Sequence, residues 1–227
     1  IGHPEDRMSW PIQPHRVVAL RSLGPNGIKD HQASLSFFST LKYLPLTFDA
    51  DGVHILTIET TNAVNTLQAE KFNAYVEEEG LTPIKLDRIA KNTTETPGVE
   101  TYSRRGKALI HVGAIGAADP HYLSRPLGLT LEIVPQEHPA RVKAGEKMTS
   151  QVFYRGQPMS GVTIGLIDLS SDKGLVEISH TDKKGYVSFK RPDTGNWMLH
   201  AVWSDPLEGS QKADYDTIFS SLSFSVD

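Results

Sequence analysis

The chain has 227 residues, 38% of them apolar, which is enough for two small cores or one large one without covalent staples. Its 23 Lys and Arg against 27 Asp and Glu leave a net charge of -4, so it has no basic field for nucleic acid or anionic lipid. It has no cysteine, which excludes disulfides, a thiolate nucleophile and Cys-containing zinc sites.

The chain opens on Ile1-Gly2-His3-Pro4, which reads like the interior of a domain. The expectation is that a signal peptide and one or two first strands precede this sequence. No apolar run reaches the roughly 18 to 20 residues of a spanning helix. Arg16 to Leu23 before the turn Gly24-Pro25-Asn26-Gly27, and Gly52 to Thr61, read as strands. Next, Asn65 can cap a helix with Gln68 at the third position, and Leu67, Phe72, Tyr75 and Val76 form a stripe ending at Gly80. This predicts one helix over about 66–79. Pro83 to Val99 reads as a surface loop with at most one helical turn at Leu86 to Ala90. Thr101 to Val112 and Leu127 to Val134 read as neighbouring strands.

From Pro135 onward, short strands recur at sandwich spacing. Leu222, Phe224 and Val226 alternate with Ser221, Ser223 and Ser225, so the former should be buried and the latter wet. The fold class read from these patterns is all-β, with two β-sandwich-like domains and one helix in the first. Residues 1–135 form the first domain and 136–227 the second, with a hinge at Pro135 to Pro139.

Gly156 to Val162 (GQPMSGV) and Thr181 to Phe189 (TDKKGYVSF) resemble the strand opening and turn of transthyretin-like or carboxypeptidase-regulatory-like sandwiches. Lys71 to Leu81 (KFNAYVEEEGL), Tyr102 to Gly113 (YSRRGKALIHVG), Arg125 to Pro139 (RPLGLTLEIVPQEHP) and Gly195 to Trp203 (GNWMLHAVW) go further. With these segments nearly the whole chain resembles domain-of-unknown-function family 4198. That resemblance implies a bacterial periplasmic protein, secreted through a signal peptide and linked to nickel or cobalt uptake. Its partners would be a metal ion or a membrane transporter component, not nucleic acid. Members of the family usually begin with a segment carrying His and aromatic residues, which this sequence lacks.

The nine histidines, at positions 3, 15, 31, 54, 111, 121, 138, 180 and 200, include no pair spaced to share one face of a helix or strand. The best metal candidate is His111 at a strand end with Asp119 and His121 in the following loop, a set suited to nickel, cobalt, copper or zinc. Asp119-Pro120-His121 is also ordinary turn composition. His180 and His200 read as half-buried sheet residues. Glu77-Glu78-Glu79 cannot converge on a cation, because neighbours on a helix diverge by about 100°. Glu78 or Glu79 should instead clamp the helix to Arg104 or Arg105. Trp197 and Trp203 share a strand face with Leu199 and Ala201, as core residues do. No G-x-S-x-G, H-E-x-x-H, P-loop or dinucleotide pattern is present, so the sequence reads as a non-enzymatic binding or accessory protein. The alternative is an adhesion-type module that presents its sandwiches to a protein or glycan.

Overall fold

The structure, a computed structural model, describes residues 14–35, 44–113, 118–171 and 174–226. The opening Ile1-Gly2-His3-Pro4 lies outside them. The described chain is mostly strand, arranged in two sheets, as an all-β fold requires.

The strands β1 (Val17–Gly24), β2 (Gly27–Asp30), β3 (Gly52–Thr60), β4 (Ala63–Leu67) and β5 (Gly98–Val112) come from the first half of the chain. The second half supplies β6 (Leu131–Pro135), β7 (Lys147–Tyr154), β8 (Gln157–Pro158), β9 (Thr163–Asp168) and β10 (Gly174–His180). It also supplies β11 (Tyr186–Lys190), β12 (Gly195–Pro206) and β13 (Tyr215–Val226). The helices are a single turn, α1 (Gln32–Leu35), and two longer ones, α2 (Ala69–Glu78) and α3 (Thr82–Ala90).

The larger sheet has the order β10-β9-β12-β13-β5-β3-β1-β2, with β4 also paired to β5; the smaller has the order β11-β7-β6, with β8 on β7. The halves expected to form separate domains meet inside the larger sheet, where β13 pairs in parallel with β5 from Tyr215↔Glu100 to Ser223↔Ala108. The expected division at 135/136 therefore coincides with no break in the sheet. At Pro135 to Pro139, where the hinge was expected, the chain passes from β6 into a turn. Pro135 is buried in β6 and pairs with Ser150. An edge strand tolerates proline because one side of its ladder needs no donor. Pro139 opens a 3-10 turn, Pro139–Arg141. The strands ending at Val112 and Pro135 do not pair with each other, but face each other from different sheets.

The core between the sheets draws on both halves of the chain. Ile55 and Leu109 meet Leu131, Ile133, Val152, Val187, Phe189, Ile164, Leu199 and Leu222, all buried. The alternation at the last strand is as expected: Leu222, Phe224 and Val226 are buried, Ser221 and Ser223 are half-buried, and Ser225 is exposed. Trp197 is core and Trp203 packs against it. The Asp182 turn closes through Oδ1, which accepts from the N–H of Lys184 at 2.8 Å and of Tyr186 at 2.9 Å, while Gly185 adopts φ +80°.

The helical region differs from expectation. Asn65 lies in β4 opposite Glu100, and α2 begins four residues later. Its stripe survives, with Phe72 and Val76 buried against Leu81, Ile84, Val202 and Tyr215 on the outer face of the larger sheet. The expected loop contains α3, which starts at a proline-bearing first turn. Its inner face carries Ile84 and Arg88, the latter only 2% exposed. Arg88 Nε donates to Asn73 Oδ1 at 2.9 Å and its Nη2 donates to the Thr96 carbonyl at 2.7 Å, with the guanidinium 4.9 Å from the Phe72 ring. Buried on its face, this cation is satisfied by fixed acceptors, as burial demands.

Candidate functional site

His111 is the penultimate residue of β5 and pairs with Val53 of β3, which fixes it at the sheet's end. It is half-buried, yet both ring nitrogens are enclosed and neither has a hydrogen-bond partner among the described residues. Enclosed polar atoms without partners are rare in folded proteins and call for an explanation. Asp119, past the intervening loop, accepts from the His138 N–H through Oδ2 at 3.0 Å. Its Oδ1 is enclosed without a hydrogen bond among the described residues and forms an ion pair with Arg141 Nε at 3.6 Å.

The ring next to His111 is that of His138, edge to face at 5.9 Å. His138 is 3% exposed, and its Nδ1 accepts from the Ala140 N–H at 3.2 Å. A neutral ring that accepts at Nδ1 carries its proton on Nε2, and that atom of His138 is enclosed without a hydrogen bond among the described residues. His121 is exposed and sits edge-on to Tyr122 at 5.7 Å. The Tyr122 hydroxyl donates to the Val53 carbonyl at 2.6 Å, tacking this loop to the strand position opposite His111. Thus His111 and Asp119 both border His138, whereas His121 turns to Tyr122. Among the described residues no three His, Asp or Glu side chains form a group that could hold a metal ion. The reading of single residues missed His138; its signal was the following Pro139, which places a His at the start of a turn.

Three further groups of polar side chains are distinct in character. Lys107 and Glu132 meet at 2.9 Å with neither side chain exposed, and burial pulls the Lys107 ammonium below its ordinary range, opposed by Glu132. The N–H groups of Leu127, Gly128 and Leu129 also donate to Glu132. Glu100 is 3% exposed and accepts from Thr217 Oγ1 at 2.6 Å; burial pushes its carboxyl above the usual range. Ser22 Oγ and His31 Nε2 lie 2.8 Å apart, both buried, and tie the residue after β2 back to β1.

Two pairs lie near the clamp expected between α2 and the arginines. Glu79 faces His200 Nδ1 at 3.9 Å, and Arg105 Nε meets Glu59 at 3.4 Å. His200 is half-buried as expected, but His180 on the edge strand β10 is exposed.

Compared with protein-family models, residues 2–205 match Domain of unknown function (DUF4198). The chain belongs to this family. No curated protein and no solved structure matches it. Within the matched stretch lie both strands of the buried ion pair and the whole His111, Asp119 and His138 neighbourhood. None of the described helices is long and apolar enough to cross a membrane.

Proposed function

We propose that this protein is a non-enzymatic binding or accessory protein of the bacterial periplasm that takes up a divalent transition metal, nickel or cobalt foremost, at the end of β5. The observation that supports the reading is the bare imidazole of His111, with two enclosed nitrogens without partners among the described residues, while Asp119, ion-paired through Oδ1 with Arg141 at 3.6 Å, borders the same His138. Imidazole and carboxylate suit borderline metals. His121, exposed nearby in sequence, would complete the set through movement of its loop. Few protein ligands give weak binding, which suits a protein that passes its metal on.

Calorimetric titration with nickel, cobalt, copper and zinc chlorides tests this. His111→Ala should abolish the binding heat, and Asp119→Asn should weaken binding about tenfold or more. His121→Ala should have the smaller effect. Binding should also fade in acid, because a protonated imidazole cannot ligate. Metal binding that survives His111→Ala overturns the assignment.

A second reading, an interaction module for a protein or glycan, is favoured by β10. It is the terminal strand of the larger sheet, and Leu175, Val176 and Ile178 on it are 44%, 50% and 49% exposed. A free edge of this kind is suited to accept an added strand. Under this reading none of the four metals gives heat, and Ile178→Lys abolishes partner recognition.

A further inference from the structure

The hairpin of β1 and β2 and the residues ahead of β3 enclose a cavity of about 260 Å³, bordered by Ser22, Gly27, Lys29, Phe48, Asp49 and His54. That is just below the range of about 300 to 1,000 Å³ in which drug-sized molecules bind, so the space fits a smaller ligand. Its shape follows from two glycines, Gly24 and Gly27, which pair with each other across the hairpin turn. A Cβ at Gly24 would lie 2.2 Å from His54 Nδ1, so only glycine lets the His54 ring settle against β1. At Gly27, with φ +90°, a Cβ would meet no atom of the described residues within 4 Å, and this end of the cavity is open.

Buried polar side chains hold the walls. His54 is 6% exposed; its Nε2 donates to the Ala50 carbonyl at 2.8 Å, and its ring lies 4.9 Å from that of Phe48. One side chain thus fixes residues 48–50 beside the hairpin and sets Asp49 across from Lys29. Lys29 stands opposite Ser22 in the ladder of β1 and β2, and the buried Ser22 hydroxyl is anchored 2.8 Å from His31 Nε2. Across the cavity, Lys29 Nζ and Asp49 Oδ2 meet at 3.3 Å with side chains 55% and 64% exposed. Water screens an exposed pair of this kind, so parting it costs little. A molecule that carries both charges itself gives each partner a new one as it parts them. A lone anion would instead lie beside the Asp49 carboxylate, and a lone cation beside the Lys29 ammonium, each an unfavourable like-charge contact.

We infer that this cavity binds a small zwitterion, an α-amino acid, with its carboxylate on Lys29, its ammonium on Asp49 and its side chain against the Phe48 ring. Both contacts are charge-assisted hydrogen bonds, the stronger kind. The site is independent of the metal reading. His54 follows Val53 in β3 and so projects from the other face of the sheet, whereas Val53 is the strand partner of His111.

The test is an amide-shift NMR titration of the full chain with L-leucine at neutral pH and constant ionic strength. In parallel run 4-methylpentanoate and isopentylamine, which keep the leucine side chain but lack the ammonium and the carboxylate respectively. Saturable shifts at Ser22, Gly27, Lys29 and Asp49 are expected with L-leucine, and each analogue should bind about tenfold or more weakly, the scale of a lost charge-assisted hydrogen bond. Lys29→Gln and Asp49→Asn should each weaken L-leucine binding by a similar factor, and Phe48→Ala by less. Lys85→Gln, which removes a cation from the exposed pair with Glu77, should change nothing. Lys29 and Asp49 are exposed, so replacing them leaves the core intact; if one variant fails to fold, the other and the two analogues still decide. No saturable shift with L-leucine up to about 50 mM, a far weaker limit than specific ligands show, overturns the inference. So does an analogue that binds as tightly as L-leucine, or binding weakened as much by Lys85→Gln as by Lys29→Gln.

Discussion

Lys107 Nζ lies 2.9 Å from Glu132 Oε1, and the pair is a fully buried salt bridge, joining β5 of the larger sheet to β6 of the smaller. Glu132 also accepts from three consecutive backbone N–H groups, so its charge has solvation of its own, whereas the Lys107 ammonium donates to Glu132. Removing one partner leaves an uncompensated buried charge. Lys107→Met and Glu132→Gln should each cost about 3 to 5 kcal/mol in urea unfolding. The double variant should cost less than the sum, since one removal already breaks the pair. A loss under about 1 kcal/mol for either single change would mean that water reaches the pair.

Glu100 gives the fold a pH dependence of definite sign. Its carboxyl is raised in the folded state, first by burial, against the hydrogen bonds from Thr217, Asn65 and Tyr75. The folded protein therefore holds this proton more tightly than the unfolded chain. The associated stability is complete below the ordinary 4.5 and is lost as pH rises through the elevated folded value. Glu100→Gln should flatten the stability profile across that window and raise stability at neutral pH. Chemical denaturation of both proteins from pH 4.5 upward reads the difference, and identical slopes would rule out Glu100 as the cause.

The last strand offers a test of the core. Phe224 is 3% exposed between the sheets, and Phe224→Ala should cost about 3 to 5 kcal/mol. Its neighbour Ser225 is exposed and donates to Asn196 Oδ1 at the surface, so Ser225→Ala should change stability by about 0.5 kcal/mol or less. The same denaturation curves measure both, and comparable losses would mean that the strand's two faces are not distinguished by the core.

Arg88 holds α2, α3 and the turn at Thr94 to Thr96 as one unit. Arg88→Met keeps much of the side-chain volume but strands Asn73 Oδ1 and the Thr96 carbonyl, and should cost about 2 to 4 kcal/mol. Hydrogen exchange should then speed up through residues 82–97 while the β12 and β13 amides keep their protection. Uniform acceleration across the protein would show that the helices do not open separately.

What the sequence revealed followed the reach of local signals. The β13 alternation and the Asp182 to Gly185 turn depend on neighbours within a few residues, and both were legible. The helix α3 was hidden because its inner face carries Arg88, while Leu86 and Ile89 are 60% and 55% exposed, which inverts the usual apolar stripe. Asn65 looked like a cap because its partner, Glu100, lies 35 residues away across a strand pair. The joining of the two halves rests on the pairing of β5 with β13, which leaves no local mark on either strand. For the same reason His111 was legible as a strand-end residue, but its neighbour was not. His138 reaches it only because β6 returns along the second sheet before the turn at Pro139.

The position of β13 also governs how the chain can fold as it is made. This 12-residue strand is the latest in chain order, yet it lies in the middle of the larger sheet, between β12 and β5. Until it emerges, β5 and β12 each lack their longest neighbour, and the inner faces of both sheets have no Leu222 or Phe224 to close over. A nascent chain would carry most of its strands without being able to finish the sheet. Contacts spanning more than a hundred residues of sequence close slowly. Cooperative folding thus waits for residues 215–226, and a chain cut before them would expose two long strand edges to its neighbours, a condition that favours aggregation.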